Sequence, residues 1–330
     1  MSNLDKSSAR DYLAQKLNLS LGQIEIDELL GGVSSVVFRV RIAGQADLIL
    51  KQSLAKLRVR EDWYSDRARI LREMDALRLL GPVAPEGCLP VVLFEDRDLF
   101  LFAMSAADVS ARTWKACLLD GQVELTLGRQ AAALHAVFFQ SHEFNQHFAG
   151  LELFDQLRLD PYYRFTATRH PDLKRFFDTV IEQSRTQLVA LTHGDWSPKN
   201  FLVNPGSRLF SIDYEVLHFG DPSFDVAFLL NHFLLKGWHR ASSRAHYAGL
   251  GLVYWEELKR LLPVGYEWLE AATIRHLGCL QLARVDGKSP VEYLRPAEQL
   301  QVRRFARDLI QNPPAKIAEV FEIQAEAFHE

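Results

Sequence analysis

"HGDWSPKN" (193–200) packs His193, Asp195, Ser197, Lys199 and Asn200 into eight positions. It lies between two apolar runs, "LVALT" (188–192) and "FLV" (201–203). Both flanks read as buried, so the polar stretch is a loop held between core elements rather than a solvated tail. Gly194 and Pro198 are turn formers, and the residue before a proline is biased away from helix. Loops placed by a rigid scaffold often carry function. Taken alone, the octapeptide also suits a surface turn with a buried His193.

Downstream, "SIDYE" (211–215) puts Asp213 at the end of a short strand. Two carboxylates and the Asn200 amide are hard oxygen donors, the kind magnesium takes. Asn200 and Asp213 are the candidate ligands, and Asp195 is left to accept a hydrogen bond from an attacking hydroxyl. A plain turn at the strand end also explains Asp213.

Upstream, "LLGGVSSVVFRV" (29–40) brings Gly31, Gly32, Ser34 and Ser35 to a turn between strands. Small residues let backbone N–H groups approach phosphate oxygens, although a Gly-Gly hairpin turn needs no ligand. Lys51 stands inside the apolar strand "LILKQS" (48–53), where an unpaired ammonium is costly. Glu73, on an amphipathic helix, is the available anion. The other reading is a lysine snorkelling at a strand end.

Hydrophobic alternation marks "VFRVRI" (37–42) and 48–53 as a hairpin around "AGQAD" (43–47). A helix follows over 61–81, with Asp62 as its cap and Ile70, Met74, Leu77 and Leu80 on one face. Strands are expected at 89–95 and 98–104. Thereafter the pattern is helical: 124–139, 171–191, 222–236 and most of 245–330, with breaks near 261–265 and 286–294. A short hairpin over 201–203 and 209–213 interrupts it. Segregated strands and helices mean an α+β fold. The expected lobes are 1–104, small and strand-rich, and 105–330, helical.

The order Gly loop, strand lysine, helix glutamate, H-x-D-x-x-x-x-N and strand-end aspartate is the part list of kinase-type phosphoryl transfer. With "LGRQAAALH" (127–135), "IDYE" and "GDPSFDVAFLL" (220–230), the chain over roughly 29–236 resembles the aminoglycoside phosphotransferase and choline kinase-like family, a branch of the bilobal protein kinase-like fold. The resemblance implies an ATP- and Mg²⁺-dependent transfer to a hydroxyl of a small metabolite or aminoglycoside-like acceptor. It implies Lys51 on the α/β-phosphates, Glu73 fixing Lys51, and backbone at Gly31–Ser35 over the phosphates. It puts Leu101, Phe102, Ala103 and Met104 against the adenine, Asp195 at the acceptor hydroxyl, and Asn200 and Asp213 on magnesium. His193 would brace the loop, and Asp225 would accept its backbone N–H groups. Lys199 stands where relatives usually have a small residue, so it either touches phosphate or faces solvent. The segment 214–222 is too short for an activation loop, which disfavours a Ser/Thr protein kinase. A catalytically silent nucleotide binder has no need of Asp195.

Composition narrows the rest. Hydrophobic residues are 48% of the chain, enough for a sizeable core, and the net charge of −4 argues against nucleic acid as partner. The three cysteines form no C-x-x-C pair, which argues against zinc or a disulfide scaffold. No run is long enough to span a bilayer, and a polar N-terminus without a secretory core sets the expectation of a cytoplasmic protein. Polar islands at 283–294 and at Arg303–Arg304 read as solvated or structural.

Overall fold

The computed structural model describes residues 3–29, 34–56 and 66–327. The chain divides into two compact units: Met1–Ala111 with Phe210–Glu215, and Arg112–Leu209 with Val216–Glu330.

The first unit opens with helix α1 (Lys6–Leu17), capped by the Asp5 carboxylate, which accepts the Ser8 N–H at 2.8 Å. Strands β1 (Ile24–Glu28), β2 (Ser35–Ile42) and β3 (Leu48–Ser53) precede helix α2 (Arg69–Leu80). Strands β4 (Val92–Asp96) and β5 (Leu101–Ser105) complete an antiparallel sheet of order β1-β2-β3-β5-β4. Every residue of β3 is buried, as its central place requires. Leu48 and Leu50 join the cluster that holds Ala9 and Leu13 of α1. The period of two therefore turns Lys51 to the opposite face. The helix expected over 61–81 begins at Arg69. Residues 57–65, and with them the Asp62 cap, lie outside the described residues, and 66–68 form a turn in which Asp66 accepts the Ala68 N–H at 2.9 Å. The last two strands each start three residues later than the alternation suggests; for β5 the reason is that residues 97–100 form the turn, in which Phe100 takes a left-handed φ of 51°.

The second unit runs through β6 (Arg112–Thr113), α3 (Trp114–Leu119), α4 (Leu125–Gln140) and α5 (Glu152–Phe154). A π-helical stretch, Asp155–Arg164, leads into α6 (Phe165–Arg169) and α7 (Lys174–Thr186). Short strands β7 (Ala190–Thr192), β8 (Phe201–Asn204), β9 (Arg208–Ser211, its last two residues counted with the first unit) and β10 (His218–Gly220) follow, and then helices α8 (Pro222–His239), α9 (Arg244–Leu261), α10 (Leu269–Asp286), α11 (Pro296–Gln311) and α12 (Ile317–Glu326). The helix expected over 171–191 stops at Thr186, and residues 190–192 are instead a strand paired antiparallel with β10. A three-residue strand carries no period, so only its partner reveals it. Helix α8 is buried all round from Pro222 to Trp238, which makes it the central helix, packed on α9 and α10.

Candidate active site

In the first unit, the Lys51 ammonium donates to Glu73 Oε2 at 2.6 Å and to Asp213 Oδ1 at 2.8 Å. Glu73 reaches it because Ile70, Glu73 and Leu77 share the buried face of α2. Glu73 Oε1 is buried without a hydrogen-bond partner. Arg69, one turn earlier, donates to Glu215 at 3.3 Å and to the carbonyls of Leu54 and Ser34. Three carboxylates thus gather around two cations. Burial works against the Lys51 charge, but Asp213 and Glu73 more than offset it and raise its pKa. Burial pushes Glu73 up, against the pull of Lys51. Glu215 is pushed up by burial and by Asp213. Asp213 has a φ of 72°, a conformation that costs a non-glycine residue about 1–3 kcal/mol and clusters at functional sites.

Gly31 and Gly32 lie outside the described residues. Ser34 is half-buried, and its carbonyl also accepts the Leu54 N–H at 2.9 Å. Ser35 is buried at the start of β2, opposite Ser53, and its hydroxyl has no hydrogen-bond partner. Leu101, Phe102, Ala103 and Met104 are buried in β5, between β3 and β4. The two neighbouring strands occupy their backbone groups. That leaves only the side chains of Leu101–Met104 open to further contacts.

In the second unit, the octapeptide is a buried loop pinned from below. The backbone N–H groups of His193 and Gly194 both donate to Asp225, the second at 2.9 Å. Asp225 sits one turn into α8, fully buried. His193 Nδ1 accepts the Asp195 N–H at 3.2 Å, which braces the loop. Gly194 has a φ of +73°, and a Cβ there would lie 2.8 Å from Val216 Cγ1, so any side chain at this position is strained. Asn200 Nδ2 donates to the Asp195 carbonyl at 3.0 Å, which ties the two ends of the motif together. Lys199 does not simply face solvent: its ammonium is 2.8 Å from Asp195 Oδ2, and Arg158 NH2 is 3.0 Å from the same oxygen. Asn200 and Asp213 belong to different units. Among the described residues no group of three or more His, Cys, Asp or Glu side chains is set to hold a metal by itself. The Asn200 amide oxygen and the Asp213 carboxylate are each hard oxygen donors of the kind magnesium takes.

Asp195 opens into a pocket of about 160 Å³ within the second unit. Its walls include Tyr162, Lys199, Phe228, His232, Arg284 and Tyr293. Arg284 and residues 289–293 belong to a polar island that the sequence suggests is solvated or structural; they form this wall instead. Arg303 does have a structural task, a bidentate pair with Asp286 at 2.7 Å on each side. Sequence reasoning passed over Arg69, Glu215, Arg158, Arg284 and Lys236. One signal was present: His232 and Lys236 stand four residues apart on one face of a largely apolar helix.

A family model described as "Phosphotransferase enzyme family" matches residues 25–261. No curated protein matches the sequence. Among solved structures, an amicoumacin kinase in complex with AMP-PNP, Ca²⁺ and Ami is 16% identical, with 96% of this chain and 98% of that chain covered and a TM-score of 0.58. A choline kinase from Cryptosporidium parvum is 14% identical over 96% of this chain and 100% of that one, with a TM-score of 0.55. A macrolide 2'-phosphotransferase from Brachybacterium faecium is 15% identical over 94% and 99%, with a TM-score of 0.53. At these identities the likeness is one of fold, and the fold is the protein kinase-like one.

Proposed function

The chain belongs to the phosphotransferase enzyme family, and from that premise we propose that it is an ATP-dependent kinase acting on a hydroxyl of a small molecule. The observation that carries this reading is Lys51, a buried ammonium held at 2.6 Å by Glu73 and at 2.8 Å by Asp213. A cation fixed in that way is positioned to meet the α/β-phosphates of a nucleotide. The family resemblance assigns the Gly31–Ser35 segment, of which only Ser34 and Ser35 are described, to the phosphates, and the side chains of Leu101–Met104 to a wall for the base. Asn200 and Asp213, with phosphate oxygens, would hold magnesium, which neutralises charge building up on the transferring group. Asp195 orients the acceptor hydroxyl and receives its proton. Arg158 and Lys199 hold that carboxylate in place, which suits a transfer that relies on positioning more than on a strong base. The neighbours named for amicoumacin, choline and macrolides support a small-molecule acceptor here.

A coupled ADP-release assay with Mg²⁺-ATP across sugars, amino alcohols, hydroxy acids and aminoglycosides tests the reading, alongside calorimetry for Mg²⁺-ATP. Turnover with one acceptor class is expected. Nucleotide binding without turnover across the panel would leave a binding protein instead, and absence of both would remove the kinase reading.

A further inference from the structure

The pocket at Asp195 is crowded with cations. Lys115 pairs with Glu292, while Lys199 and Arg158 share Asp195. Among the described residues two further cations have no carboxylate in ion-pair contact, and Glu292, already paired with Lys115, acts on both only from farther off. Arg284 NH1 donates to the Tyr162 hydroxyl at 3.1 Å, to Ser289 Oγ at 3.1 Å and to the Ser289 carbonyl, all neutral acceptors. Its Nε–H is buried with no acceptor. Lys236 is fully buried behind the wall, with its ammonium 3.3 Å from the His232 carbonyl and 5.6 Å from the centre of the Tyr293 ring. The Tyr293 hydroxyl, in the wall itself, is also buried without a partner. Buried cations are normally paired, so this wall carries positive charge that its own carboxylates do not offset.

Three titratable groups respond to the same field. Burial and then Lys115 and Arg284 push Lys236 down to about 7. Burial and Lys236 push His232 well down. Burial works against the Tyr162 phenolate, yet Arg284, Arg158 and Lys199 bring its pKa below the usual value. The cavity, at about 160 Å³, is smaller than the ~300–1,000 Å³ of pockets for drug-sized ligands.

We propose that the acceptor is a small alcohol carrying its own oxyanion, a carboxylate or a phosphate, held by Arg284 with Lys236 behind it while its hydroxyl faces Asp195. The inference rests on the kinase reading for its chemistry. The acceptor oxygen bonds to the γ-phosphorus as the bond from that phosphorus to the β,γ-bridging oxygen breaks. The hydroxyl proton passes to Asp195 and then to water, and ADP leaves. A cationic alcohol would meet Arg284, Lys236 and Lys115 with only Asp195 and Glu292 to offset them, both already paired.

The test uses the full chain saturated with Mg²⁺-AMP-PNP. Calorimetry follows the binding of glycerate, glycerol 3-phosphate and choline to wild type, Arg284→Gln, Arg284→Lys and Lys236→Met. At least one of the two anions should bind, weakened about tenfold or more in Arg284→Gln, as expected for a lost charge-assisted hydrogen bond, and partly restored in Arg284→Lys. Choline should not bind. Preference for glycerate marks a carboxylate acceptor, and preference for glycerol 3-phosphate a phosphate one. Choline binding in place of both anions overturns the proposal, as does anion binding unchanged in both Arg284→Gln and Lys236→Met. Anion binding that depends on Arg284, with no ADP release from Mg²⁺-ATP and any acceptor, upholds the pocket assignment and strikes the kinase reading alone. Turnover of a cationic or neutral alcohol does the reverse.

Discussion

Replacing Lys51 with methionine tests the first unit most directly. Lys51 is 6% exposed and Glu73 1% exposed, so both charges sit away from water. Lys51 supplies the hydrogen bond to Glu73 Oε2, and Glu73 Oε1 has none. Methionine fills the space but leaves the carboxylate without its cation. Breaking a buried pair by removing one partner costs about 3–5 kcal/mol. At about 2–4 °C per kcal/mol, the melting temperature should fall by roughly 6–20 °C. The loss should also depend on pH. Glu73 is already pushed up by burial, and removing Lys51 pushes it further. A carboxyl whose folded pKa is raised contributes stability that is full below its ordinary value and is lost as pH rises through the raised one. The deficit of Lys51→Met should therefore be small at pH 5 and grow toward pH 8.5. Adding Glu73→Gln should recover most of it, since both members of the pair are then gone. Melts of wild type, the single variant and the double variant at the two pH values, with Mg²⁺-ATP calorimetry on each, make the measurement. A single variant that melts with wild type at pH 8.5, or a double variant no more stable than the single, would refute the buried pair. Nucleotide affinity equal to wild type would refute the phosphate-binding role even if the melts behave.

Asp195→Asn keeps the shape of the side chain but cannot take a proton, so turnover should fall about 10²–10⁴-fold while Mg²⁺-ATP affinity stays near wild type; affinity falling in step with rate would place Asp195 on the metal instead. Asp225→Ala strips the acceptor from the His193 and Gly194 N–H groups, at about 1–3 kcal/mol for each buried donor, and a melt within a degree of wild type would mean the loop does not lean on α8. Gly194→Ala must hold a φ of +73° and meet Val216; a loss of at least about 1 kcal/mol by denaturant titration is expected, and none would show the loop to be adaptable. Lys236, pushed down to about 7, faces Lys115, Arg284, Glu292, His232 and Tyr293. The unfolded chain binds the extra proton between that value and the ordinary lysine range, so wild-type stability should rise with pH across this window relative to Lys236→Met. Parallel pH profiles would contradict it.

Much of the site could be read locally. An ammonium in the apolar strand 48–53 demands an anion, and the glutamate on the buried face of α2 is where helical spacing puts one. The octapeptide betrays itself because polar groups between two apolar flanks must be held by something buried, and Asp225 is that support. The apolar run over 222–236 marks helix α8 without any period, because a helix buried all round is apolar on every face. What the chain does not encode locally, only tertiary structure supplied. Residues 210–215 return to the first unit, and that return brings Asp213 to Lys51 and Glu215 to Arg69. Strand β7 exists because β10 pairs with it, and three residues have no period to show. The cationic pocket draws Lys115, Arg158, Lys199, Lys236 and Arg284 from elements far apart in sequence. None of them, read alone, shows that it shares a pocket with the others. Periodicity reports whether a residue is buried, whereas the partner of a buried charge is fixed by long-range packing.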